Sequence, residues 1–83
     1  MSRLPLRSLR SLTARELIAA LRRDGFLLER SKGAHQHFRH PDGRRVTVTF
    51  HAPGDTFPPK TLRSMLETQA QWTEADVQRL GML

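Results

Sequence analysis

Cysteine is absent from the 83 residues, which excludes disulfides, thiolate metal sites and thiol nucleophiles. No apolar run approaches the roughly 20 residues needed to span a bilayer, and no hydrophobic segment of signal-peptide type opens the chain. A cytoplasmic protein with no membrane partner is therefore expected. Internal repeats and low-complexity segments are also missing. Acidic residues are scarce in one half only: residues 1–45 carry eleven Lys or Arg against four Asp or Glu, whereas residues 46–83 carry three against four. The formal charge of +6 thus belongs to the first half, and a phosphate-rich polymer or an acidic protein would be drawn there first.

The length allows one domain with a single small core. Residues 1–11 have scattered leucines, no helical seam and an early proline, and read as a loosely ordered basic arm. A single folded domain is expected over 12–83. Thr13 and Glu16 make a capping box, with Leu12 and Leu17 at the positions of a hydrophobic staple. Ala14, Leu17, Ile18 and Leu21 form one apolar stripe, and Gly25 with Phe26 stops the helix, which is placed at 14–24. Phe26 to Arg30 reads as a short strand, and Ser31 to Ala34 as a turn in which Gly33 is the structural residue.

From His35 the side chains divide by parity. Phe38 fixes Gln36 and His40 on the inner face and directs His35, His37 and Arg39 outward. Pro41-Asp42-Gly43-Arg44 is a hairpin turn. In the strand over 45–50, Val46, Val48 and Phe50 share the inner face and Thr47 and Thr49 the outer one. A loop over 51–60 leads to a helix over about 59–69 that starts on Pro59 and buries Leu62, Met65 and Leu66. A short third helix begins at the capping box of Thr73 and Asp76, with a Trp72 and Val77 staple, and ends at Gly81.

Three of the four histidines lie between residues 31 and 40. Their spacing matches no zinc-protease helix or Cys-His module, and neither cysteine nor a paired carboxylate accompanies them, so no metal and no other cofactor is expected. A serine hydrolase is also disfavoured, for no nucleophile elbow is present. RNA brings its own nucleophile, the ribose 2′-hydroxyl. Its cleavage requires only a positioned base and cations about the phosphate. An imidazole of unperturbed pKa near 6.5 suits the base role. His35 is the candidate base, with Lys32, Arg39 and His37 as candidates for phosphate contact.

The run Gly33-Ala34-His35-Gln36-His37-Phe38, followed by Arg39-His40-Pro41 and Val46-Thr47-Val48, resembles the HicA family of toxins. Asp24-Gly25-Phe26, Lys32-Gly33 and Thr61-Leu62-Arg63-Ser64 extend the resemblance over roughly Leu12 to Gln69. It implies an α-β-β-β-α domain like the double-stranded-RNA-binding fold: an α+β protein whose three-stranded antiparallel sheet has helices on one face. The short C-terminal helix is an addition. It further implies an mRNA-cleaving endoribonuclease of a type II toxin-antitoxin pair, silenced by a HicB-like antitoxin. The family's catalytic histidine corresponds to His35, while the serine before it is Ala34 here. On this reading Lys32 and Arg39 bind phosphate, Arg22 or Arg23 extends the basic track, and His37 is a second proton-transfer group. The substrate is mRNA or another single-stranded RNA. The competing reading is an RNA-binding module without catalysis.

Overall fold

The computed structural model describes residues 4–83. A 3-10 helix (Leu6–Leu9) leads into α1 (Ala14–Asp24), followed by β1 (Leu27–Lys32), β2 (His35–Arg39) and β3 (Arg45–Thr49). Next come α2 (Pro59–Arg63), its π-helical continuation (Ser64–Gln69) and α3 (Glu74–Arg79). The strands form an antiparallel sheet in the order β1-β2-β3. This is the expected α+β architecture. Phe38, Val46 and Val48 bury the inner sheet face against Leu17 and Leu21 of α1 and against Leu62, Met65 and Leu66 of the second helical segment.

Local signals set the ends of α1. Thr13 and Glu16 close the capping box, Glu16 N–H donating to Thr13 Oγ1 at 3.2 Å and Thr13 N–H to Glu16 Oε1 at 2.9 Å. The next two orphan N–H groups donate to the loop between β3 and α2, Ala14 to Asp55 O (2.8 Å) and Arg15 to Pro53 O (3.0 Å). At the other end Gly25 N–H reaches Arg22 O and Phe26 N–H reaches Leu21 O, the Schellman pattern. Gly25 is required twice over. Its φ is +107°, and a Cβ there would come within 2.9 Å of His40 Nε2.

Three boundaries differ from the sequence reading. β1 runs two residues further than Arg30, so the turn contracts to Gly33-Ala34. Gly33, with φ +58°, occupies the first central position, as in a II′ turn. The helix over 59–69 switches from α to π at Ser64, Ala70 N–H bonding Met65 O at 2.8 Å. In that wider turn Gln69 accepts from Thr47 N–H (2.8 Å) and donates to Ser64 Oγ (3.2 Å), covering the outer edge of β3. Finally, the arm expected over 1–11 is packed where it is described. Leu4 and Leu9 join the core, and Leu4 N–H donates to Glu67 Oε2 at 3.2 Å. Burying those leucines outweighs the lack of a helical seam; residues 1–3 of the expected arm lie outside the described residues.

The C-terminal helix is tied to α1 by polar contacts. The Asp24 carboxylate, its side chain only 7% exposed, accepts from Trp72 Nε1 (2.8 Å) and pairs with Arg79 (2.8 Å) and Arg44 (3.2 Å). Burial alone would raise its pKa. The hydrogen bonds from Trp72 and Arg79, with the charges of Arg44 and Arg79, outweigh burial and hold the carboxyl below its usual range.

Candidate active site on the outer sheet face

Register places the site. Lys32 pairs with His35 and Arg30 with His37 across β1 and β2, while His35 pairs with Thr49, His37 with Thr47 and Arg39 with Arg45 across β2 and β3. Directly opposed residues share a face. The outer face therefore carries successive rungs: Lys32, His35 and Thr49; Arg30, His37 and Thr47; then Leu27, Arg39 and Arg45. At a rise of about 3.3 Å per residue the rungs are roughly 7 Å apart. Between Leu28 and Arg30 the register shifts by one residue, and the bulged Glu29 approaches Arg39 at 3.9 Å.

Each outer histidine is held by a threonine. His35 Nδ1 lies 2.9 Å from Thr49 Oγ1, and His37 Nδ1 lies 3.0 Å from Thr47 Oγ1. In the tautomer with a proton on Nδ1, the imidazole donates to the hydroxyl and Nε2 keeps its lone pair. For His35 that nitrogen has no hydrogen-bond partner among the described residues. The ring is thus oriented by β3 and open on the side away from it.

Lys32, His35, His37 and Arg39, singled out from the sequence, come together here. Arg22 and Arg23 do not. Arg22 lines a groove with Gln36, Phe50 and Pro53, on the helix side of the sheet. The Arg23 guanidinium donates to Leu80 O at 2.6 and 3.1 Å, fastening α3 to α1. His40 is structural. It stacks edge-on against Phe26 at 5.1 Å and donates from Nε2 to Asp24 O at 2.8 Å, while Asp42 N–H reaches its Nδ1 at 3.1 Å. Among the described residues no three His, Asp or Glu side chains gather as a metal-ligating group.

Arg30 and Arg45 are members of this face that the sequence reading passed over. The signal was available in the pairing arithmetic of the two hairpins. A two-residue turn at Gly33-Ala34 sets Arg30 opposite His37, and the three-residue loop Pro41-Asp42-Gly43, closed by His40 N–H on Arg44 O, sets Arg45 opposite Arg39. Ending β1 at Arg30 concealed the first relation.

The molecule is a small α+β domain whose helices cover one face of a three-stranded sheet, leaving on the other two threonine-held imidazoles among Lys and Arg side chains. The family described as HicA toxin of bacterial toxin-antitoxin matches residues 14–72, and the chain belongs to that family. The matched span begins with α1, contains the whole sheet and closes at Trp72, before α3. A toxin of such a pair has an antitoxin as its partner. No curated protein matches the chain. No helix among the described residues is long and apolar enough to cross a membrane.

Proposed function

We propose that this toxin is a metal-independent endoribonuclease acting on mRNA or other single-stranded RNA in the cytoplasm. The observation that carries the reading is the 2.9 Å contact of His35 Nδ1 with Thr49 Oγ1 on the rung that also carries Lys32, at one end of the cationic face. It leaves Nε2 as the base. His35 takes the proton of a ribose 2′-hydroxyl as the 2′-oxygen attacks the adjacent phosphorus. The P–O5′ bond breaks, giving a 2′,3′-cyclic phosphate and a 5′-hydroxyl.

Lys32, on the His35 rung, binds the reacting phosphate and offsets the charge that develops on its oxygens, and Arg39, two rungs away, binds a neighbouring phosphate on a track that Arg30 and Arg45 extend. His37 lies one rung from His35, at a separation that lets two imidazoles flank one phosphate. In its protonated form it supplies the proton to the leaving 5′-oxygen. In-line attack requires a flexible strand, so the substrate is unpaired at the cut. A HicB-like antitoxin silences the enzyme by covering this face, and negative charge on it speeds the encounter.

The test incubates the protein and His35→Ala with a defined single-stranded RNA in EDTA and resolves the product ends. Cyclic phosphate ends from the unaltered protein alone are expected. Equal cleavage by both refutes the role of His35. Binding without cleavage by either makes the domain an RNA-binding module.

A further inference from the structure

Beside the His35 rung, the outer face is hollowed rather than flat. A concavity of about 540 Å³ lies among Glu29, Arg30, His37, Arg45 and Thr47, within the range of roughly 300–1,000 Å³ typical of small-molecule sites. Two features set it apart from a track for phosphates alone. The first is its acid: Glu29 brings the one carboxylate into a wall whose other side chains are Arg30, Arg45, His37 and Thr47, with Phe38 and Val46 at its base. The second is how that carboxylate gets there. Leu28 pairs with Phe38 and Arg30 with His37, leaving Glu29 unpaired in the bulge. Bulges re-aim side chains in this way.

A carboxylate repels phosphate, so electrostatic attraction to the RNA backbone gives no reason for Glu29 to be in the hollow. An ionised carboxylate only accepts hydrogen bonds. Nucleobases divide on this point: guanine, adenine and cytosine carry an exocyclic amino group on the pairing edge, whereas uracil presents carbonyl oxygens on either side of one N–H. Guanine offers two parallel donors to the two carboxylate oxygens. Arg30 and Arg45 remain available for the flanking phosphates and for stacking on the base plane.

We propose that this hollow is a base-reading subsite in which Glu29 selects an amino-bearing nucleobase, guanine above the others, next to the cleaved phosphate and against uracil. The proposal rests on the ribonuclease reading for its substrate. The distance of one rung, about 7 Å from the His35 row, assigns the selected base to a nucleotide adjoining the cut. The strand runs along β2, its backbone over the cationic rungs. Arg39, which does not line the hollow, approaches the Glu29 carboxylate at 3.9 Å, and a bound base would take the place of that long, exposed pairing.

The experiment uses the full chain and its Glu29→Gln variant, whose replaced side chain is 44% exposed. Single-stranded RNAs that differ only in the base at each position around the cut are cleaved and the cut sites sequenced. The unaltered protein is expected to prefer guanine over uracil at one fixed neighbouring position by at least about fivefold, as loss of a paired hydrogen bond to a base edge implies. Glu29→Gln is expected to cut with that preference reduced to within twofold or so of even. The readout is a ratio between RNAs. A merely electrostatic role for Glu29 would raise cleavage of all of them together and leave the ratio unchanged, which overturns the proposal. So does the absence of any preference in the unaltered protein. The same RNAs are bound to His35→Ala with and without Glu29→Gln added, and affinity is measured by fluorescence anisotropy. If no protein cuts but guanine-selective binding disappears with Glu29→Gln, the ribonuclease reading falls and the subsite stands. If binding is indifferent to the base, the subsite falls as well.

Discussion

Replacing Asp24 is expected to loosen the joint between α1, the second hairpin turn and the C-terminal helix. Asp24→Ala leaves the Trp72 indole N–H, on a side chain that is 3% exposed, without its acceptor at 2.8 Å. An unmet buried donor costs about 1–3 kcal/mol. Arg44 loses a 3.2 Å contact but keeps Asp42 Oδ2 at 2.7 Å and Ala70 O at 2.6 Å, so its share is roughly 1 kcal/mol. Arg79 is 53% exposed and adds a few tenths at about the level of a surface pair. Against these stands the relief of removing an anion from a helix C-terminus, roughly 0.3–1 kcal/mol. The net expectation is a loss of about 2–3 kcal/mol, or ~10–20 °C in Tm for a domain of this size. Asp24→Asn keeps an acceptor for the indole and is expected to lose about 1 kcal/mol. Urea denaturation followed by tryptophan fluorescence measures both variants. A loss below about 0.5 kcal/mol for Asp24→Ala, or equal losses for Ala and Asn, would refute the reasoning.

Other consequences are open to direct measurement. Gly25→Ala forces a Cβ to within 2.9 Å of His40 Nε2 at a φ of +107°, and a destabilisation of roughly 2–4 kcal/mol by urea denaturation is expected from strain plus the displaced His40 hydrogen bond. Thr49→Val removes the hydroxyl 2.9 Å from His35 Nδ1; a fall of about tenfold in the rate of RNA cleavage is expected, with the His35 tautomer changed in nitrogen NMR and both restored by Thr49→Ser. Stability should fall in acid. The carboxyls of Glu16, Asp24, Asp42, Asp55 and Asp76 all lie below their ordinary values in the folded protein, so their contribution is complete above an unfolded pKa near 4 and is lost as pH drops through the lower folded values. A Tm series from pH 6 to pH 2 should be flat in these groups down to about pH 4 and then decline; no decline by pH 2.5 would count against those carboxyl pairings. RNA binding should weaken with a log–log salt slope of about −2 to −3 for three or four phosphates held by Lys32, Arg30, Arg39 and Arg45, and Arg30→Ala with Arg45→Ala should flatten it by roughly 1.4.

Much of the architecture was legible in short-range chemistry. Both capping boxes, Thr13 with Glu16 and Thr73 with Asp76, form as the spacing requires, because their partners lie within a single turn. Parity around Phe38 assigned His35, His37 and Arg39 to the outer face correctly for the same reason: a strand alternates whatever lies above it. β1 was harder to bound. All six of its residues are exposed, so no apolar alternation marks its length, and its bulge leaves no trace in composition. Arg22 and Arg23 show a different limit. A helix wheel says that a residue is off the apolar stripe, not which side of a sheet the helix will cover. The bond from Arg23 to Leu80 O spans 57 residues, and only the assembled tertiary structure brings its two ends together.

The two edges of the sheet are not alike. Gln69, swung into place by the π turn, takes the Thr47 N–H on the β3 side, whereas β1 ends the sheet on the other side with Leu27 69% exposed. Unpaired edges invite further strands, and a molecule with two open edges is a link from which a fibre can grow. With Gln69 over the Thr47 N–H, the β3 edge is partly occupied by the chain itself, and β1 is the edge left open to a further strand.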